Sequence, residues 1–175
     1  MKKITSILLA LMLLLTGCTA SISDYKSSQP KFDLFGYFAG KTTAWGMLQD
    51  YKGKQTRRFT VDIVGTVKKD TLTLVEDFVF DDGETQQRIW TIKKQSDGRY
   101  TGTAGDVIGE AQGVEIGNAL QWQYTLAIPV DDSVYNIKFN DWMYRQDEKH
   151  MFNVASMTKF GFEVGKVTLF FQKDD

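Results

Sequence analysis

The sequence predicts an all-β protein: a single antiparallel up-and-down β-barrel of about ten strands behind a short N-terminal helix. Three observations carry this. Strand signals recur about every ten residues from Thr43 to Gln172, each bounded by polar turn residues. Within the strands, apolar and polar residues alternate, the mark of a sheet with one wet face and one dry one. After Gly40 no segment of ten or more residues has a helical period.

Taken in order, the chain opens with Lys2 and Lys3 and an apolar run from Ile4 to Leu15. That run is well short of the ~20 residues a bilayer-spanning helix needs, so residues 1–17 read as a signal peptide. Residues 18–31 read as Cys18 followed by a flexible tether, because Ser21, Ser23, Ser27, Ser28 and Pro30 break any periodicity. Fully extended, the tether would reach on the order of 40 Å. Residues 32–175 form the barrel domain. Phe32, Phe35 and Phe38, with Leu34 between, predict one or two helical turns ending at Gly40.

Ten strands follow: Thr43–Gln49, Thr56–Val67, Thr71–Phe80, Thr85–Lys94, Tyr100–Ala104, Asp106–Gln112, Ala119–Ile128, Ser133–Tyr144, Met151–Lys159 and Glu163–Gln172. Asp50-Tyr51-Lys52-Gly53, Asp81-Asp82-Gly83, Ser96-Asp97-Gly98 and Gly117-Asn118 have hairpin-turn chemistry. Alternation groups Leu72, Leu74, Phe78 and Phe80 on one face, with Glu76 the odd member. It likewise groups Tyr135, Ile137, Phe139 and Met143, with Asp141 the odd member. Arg57, Phe59, Val61 and Ile63 share a face opposite Arg58.

Composition removes several function classes. Lys and Arg total 21 against 22 Asp and Glu, which leaves no basic footprint for nucleic acid. One Cys and one His exclude a disulfide framework and a multi-ligand Cys/His metal site. No cofactor motif and no metal site are expected; the acids of Asp81–Glu84 and Asp131–Asp132 read as turn residues, and His150 as a turn residue of a charged hairpin. The informative positions are charges that interrupt dry faces. A buried carboxylate is costly unless paired or protonated, so Glu76 and Asp141 need partners, and Arg58, Arg88, Arg145 and Lys159 occur in strands that could lie across from them. Glu76, Asp141, Arg58 and Arg88, with the aromatics Phe78, Trp90, Trp122, Tyr124, Phe139, Trp142 and Tyr144, make up the candidate ligand-binding set. Alternation puts Asp141 and Met143 on the face opposite Trp142 and Tyr144.

Two resemblances extend this reading. Leu15-Thr16-Gly17-Cys18 resembles the lipobox of bacterial lipoproteins. This implies cleavage before Cys18, acylation of that residue and attachment to a membrane. Thr19, where an Asp would favour inner-membrane retention, implies the outer membrane, on its periplasmic face. The ten strands behind a short helix resemble the lipocalin-like and fatty-acid-binding-like (calycin) architecture, and Ala44-Trp45-Gly46 is similar to the start of the first lipocalin strand.

A closer resemblance rests on Ala44-Trp45-Gly46, Arg57-Arg58-Phe59, Glu76-Asp77-Phe78, Asp81-Asp82-Gly83-Glu84, Gly117-Asn118-Ala119, Asp141-Trp142-Met143-Tyr144 and Lys159-Phe160-Gly161. These stretches are similar to a family of Gram-negative lipoproteins known only as a domain of unknown function, often encoded near cyclopropane-fatty-acid-synthase-like enzymes. The resemblance implies an envelope or lipid context and carries over no catalytic residue. The expectation is therefore a membrane-anchored, non-enzymatic barrel that binds a hydrophobic or amphipathic small molecule. The alternatives are a lipid-modifying enzyme using the barrel carboxylates, or a structural protein of the envelope with a filled barrel.

Overall fold

The computed structural model describes residues 20–130 and 132–174, so Cys18 and the apolar run before it lie outside the described residues. The ten strands are β1 (Gly40–Asp50), β2 (Gln55–Lys68), β3 (Thr71–Phe80), β4 (Thr85–Lys94), β5 (Tyr100–Thr103), β6 (Ala111–Ile116), β7 (Ala119–Val130), β8 (Ser133–Arg145), β9 (His150–Lys159) and β10 (Phe162–Lys173). Each is antiparallel to its neighbour in sequence, and β10 pairs with β1, which closes the barrel. The predicted fold is the observed one, with nine strands near their expected bounds.

The exception is the sixth strand. Residues 106–112 were expected to form it, whereas β6 begins at Ala111. Gly105 and Gly109, the latter at φ +72°, break the segment. Residues 106–108 instead lie along β7: Ile108 N–H donates to the Thr125 carbonyl, and Ala127 N–H to that of Asp106. This matters for the wall. The register of β4 with β5 covers only Thr91–Lys94. Towards Thr85, the next piece of wall is the 104–110 segment.

One end of the barrel is plugged. The predicted helical turn is α1 (Leu34–Phe38), with Asp33 as N-cap accepting from Gly36 N–H at 3.0 Å. Its other end is held from the last strand, where Lys173 Nζ donates to the carbonyls of Tyr37 and Ala39 at 2.6 and 2.5 Å. Leu34, Tyr37 and Phe38 are buried, and Phe38 meets Phe171 edge-on at 5.8 Å. The helix sits so close to β2 that a Cβ on Gly65 would fall 1.7 Å from the Phe38 carbonyl oxygen.

The described part of the tether is not extended. Ile22–Tyr25 forms a 3-10 turn with a capping box from Ser21 and Asp24. Tyr25 then packs on the outer face of β8 against Trp142 and Tyr144, at 5.8 and 5.5 Å. Phe32 N–H donates to Gly117 and Arg145 to the Lys31 carbonyl, strapping residues 25–32 across the α1 end.

The short β5 and β6 make room for one large ring. A Cβ on Gly113 would lie 2.3 Å from the Trp122 ring, and one on Gly102 2.6 Å from it. Gly113→Ala is therefore expected to push the Trp122 indole into the barrel and to cost about 1–3 kcal/mol of overpacking strain. Equilibrium urea unfolding followed by tryptophan fluorescence measures this, and a variant as stable as the parent would refute the packing.

Candidate functional site

Inward-facing residues from most of the strands enclose a cavity of about 250 Å³. Near α1 its walls are fully packed by Ile63, Leu74, Ile92, Leu120 and Phe171. Leu48, Phe80, Ile128 and Met157 at the far end are only partly covered, so the cavity opens away from the plug. Its middle is aromatic. Tyr124 stacks on Phe139 at 5.1 Å, and Trp90 meets both Tyr124 and Trp122 edge-on at 5.4 and 5.7 Å.

A polar cluster lies in this wall. Arg88, on β4, is bound by Asp106 of the 104–110 segment through Nε (3.0 and 3.1 Å) and Nη2 (2.7 Å). Its Nη1 stands 4.0 Å from Glu76 on β3. Asp141, on β8, accepts at one oxygen from Tyr124 Oη (3.1 Å) and Asn153 Nδ2 (3.3 Å). Its other oxygen and the Asn153 amide oxygen are buried with no hydrogen-bond partner among the described residues. An orphaned buried acceptor of this kind costs about 1–3 kcal/mol.

Burial sets the protonation of these groups. It pushes Glu76 up to about 7 against the pull of the Arg88 charge, with Asp106 and Asp141 adding repulsion. It pushes Asp141 up to about 7 as well, although the hydrogen bonds from Asn153 and Tyr124 and the Arg88 charge work the other way. Burial and the nearby Asp141 also raise the Tyr124 hydroxyl, which stays a donor.

Of the sequence-predicted set, Glu76, Phe78, Arg88, Trp90, Trp122, Tyr124, Phe139 and Asp141 all line this cavity. Three do not. Arg58 points outward, 66% exposed and paired with Asp81 at 3.3 Å. Its neighbour Arg57 takes the inward face at the mouth, 3.6 Å over the Phe80 ring and paired with Asp82 and Glu84. Trp142 and Tyr144 lie on the outer face, as the pleat requires of residues alternating with Asp141 and Met143. Trp45 also faces outward, stacked near Phe170 at 6.2 Å.

Sequence reasoning missed Asn153 and Asp106. Asn153 was legible, since it alternates with Met151 and Ala155 on the dry face of β9. Asp106 was not, because it was assigned to a strand the glycines prevent. Among the described residues no cluster of acids, His or Cys has metal-site geometry.

A family model described as "Protein of unknown function (DUF3833)" matches residues 12–173. No curated protein matches the chain.

The two raised carboxyls make stability depend on pH with a definite sign. Ordinary values for Glu76 and Asp141 are 4.5 and 3.8, and both move to about 7 on folding. In that interval the folded chain binds more protons than the unfolded one. The contribution is therefore complete below the ordinary values and is lost as pH rises through about 7. For a group moved this far it is on the order of 3 kcal/mol. The thermal midpoint is expected to fall between about pH 5 and pH 8, and to fall less in Asp141→Asn. Equal drops in parent and variant would show that Asp141 does not titrate as described.

Proposed function

The chain belongs to the DUF3833 family, whose function is unknown, and from that starting point we propose that it is a membrane-anchored barrel that binds a single-chain amphipathic molecule. The observation that carries the reading is the open-ended, aromatic-lined cavity with a buried polar cluster partway along its wall. Its ~250 Å³ falls just below the usual range for ligand pockets, ~300–1,000 Å³. That volume suits one hydrocarbon chain and a small head, and is too small for a two-chain phospholipid. Affinity would come from apolar surface removed from water, about 25 cal/mol per Å², with the polar groups fixing orientation.

Anchoring is the second element of the proposal. Leu15-Thr16-Gly17-Cys18 after an apolar run supports acylation of Cys18, with the outer membrane's periplasmic face as the site. More than one acyl chain makes such attachment stable. The turn Ile22–Tyr25 packs at the plugged end of the barrel, which supports an anchor on the side opposite the mouth. Ligand would enter from the side facing away from that membrane.

One observation favours an enzyme of lipid modification as a second reading. Glu76 and Asp141 both titrate near 7 beside the cavity, the range that suits general acid–base catalysis. Turnover of a bound lipid that Glu76→Gln or Asp141→Asn abolishes, with binding retained, would establish it.

For the binding reading, delipidated protein is expected to take up diphenylhexatriene with a rise in fluorescence, and native mass spectrometry of gently extracted protein to show a co-purified small molecule. Ala155→Phe, which fills the cavity from β9, is expected to weaken uptake at least ~10-fold. A folded parent protein that takes up no apolar probe would end the proposal. For the anchor, Cys18→Ser is expected to move the protein from the membrane to the soluble fraction and to abolish palmitate labelling.

A further inference from the structure

We propose that the cavity's polar cluster recognises a head group that donates hydrogen bonds and carries no negative charge, a hydroxyl or an ammonium on one apolar chain, and that it discriminates against carboxylate and phosphate heads. The inference rests on the cavity-binding reading and narrows its ligand class.

Charge is the first argument. Three carboxyl groups, Glu76, Asp106 and Asp141, gather around one guanidinium. Among the described residues that line the cavity, Arg88 is the single cation. Asp106 occupies it through both Nε and Nη2, and its remaining nitrogen faces Glu76. An anionic head would meet a guanidinium already paired with Asp106 and would add to the acids already present. Arg88 is committed first to Asp106, and its Nη1 stands beside Glu76, so a ligand carboxylate would have to compete with two protein carboxyls for it.

The second argument is the pattern of unused hydrogen-bonding capacity. Tyr124 Oη donates its single hydrogen to Asp141, and Asn153 Nδ2 donates one of its two to the same oxygen. Among the described residues lining the cavity, the sealed atoms with no partner are acceptors: Asp141 Oδ1 and Asn153 Oδ1, on residues 5% and 3% exposed. The Asn153 amide is oriented by Asp141, because only its nitrogen can donate to a carboxylate. Both residues line the cavity, and no hydrogen bond to the Glu76 carboxyl accompanies its 4.0 Å approach to Arg88. A group entering beside them gains by donating.

A hydroxyl suits either protonation state of Asp141, since it donates to a carboxylate and accepts from a carboxylic acid. An ammonium suits the ionised state and replaces the protons that Glu76 and Asp141 otherwise hold. The titratable and charged groups facing this position are Glu76 from β3, Arg88 from β4, Asp106 from the 104–110 segment and Tyr124 from β7.

The test uses the full chain, delipidated and loaded with diphenylhexatriene, a probe with no polar head. Decanol, decylamine, decanoate and decyl phosphate then compete for it at one pH. Decanol and decylamine are expected to displace the probe at concentrations about tenfold or more below those of the two anions. Asn153→Leu is expected to erase most of decanol's advantage while still binding the probe. Should that variant not fold, Glu76→Gln, which keeps the side chain's size, is expected to weaken decylamine's competition relative to decanol's; an unchanged ratio would count against the acids as the recognising groups. Decanoate or decyl phosphate competing as well as decanol would overturn the inference while leaving the cavity reading intact. No uptake of diphenylhexatriene at all would overturn both.

Discussion

The pair Arg88–Asp106 is where the architecture of this barrel and the character of its interior are decided together. β5 and β6 are short, so the mouth half of β4 runs past the end of its register with β5. The 104–110 segment fills the space while hydrogen-bonding to β7, and the charged pair ties it to β4. Because both charges are mostly removed from water, losing either partner would leave the other uncompensated, which costs more than a surface pair ever contributes. The same commitment leaves the cavity's cation already paired. Glu76 and Asp141 are left in an aromatic wall with no partner that neutralises them fully, and burial then drives both towards the protonated form.

The two ends of the barrel divide the remaining work. At one end α1, Lys173 and the strapped residues 25–32 convert a hollow cylinder into a cup. Packing there is close enough to demand glycine: a Cβ on Gly117 would sit 1.6 Å from the Tyr25 carbonyl oxygen. At the other end the rim stays loose, with Arg57 held over Phe80 by Asp82 and Glu84, and the Phe160 side chain 89% exposed at the tip of the β9–β10 turn. Rigid closure on one side and partly covered apolar side chains on the other give the cavity a direction, which a symmetric barrel would lack.

The period-two pattern carried most of this in the sequence. It placed Glu76 among Leu74 and Phe78, Asp141 beside Phe139 and Met143, and Trp122 with Tyr124, and each of these faces the cavity. Where the reading failed, it failed by one residue or by one glycine. Choosing Arg58 over Arg57 took the wrong side of a pleat whose inward members, Phe59, Val61 and Ile63, were already identified. The shift of the sixth strand came from Gly109, whose positive φ no hydrophobic pattern reveals. The strapping of residues 25–32 was invisible for another reason. A serine-rich stretch looks like a tether until Tyr25 meets Trp142 and Tyr144, two outward aromatics whose cover lies more than a hundred residues away in the chain.

The buried polar cluster also bears on whether the barrel is a filled scaffold or a receptacle. A scaffold under selection for stability alone would replace Asn153 and Asp141 with apolar residues, since orphaned oxygens and raised carboxyls both subtract from it. Trp90, Trp122, Phe139 and Met143 show that the wall accommodates bulky side chains around them. Polar groups kept where they cost stability, grouped around one cavity, are accounted for by the proposed binding role and not by a filled scaffold.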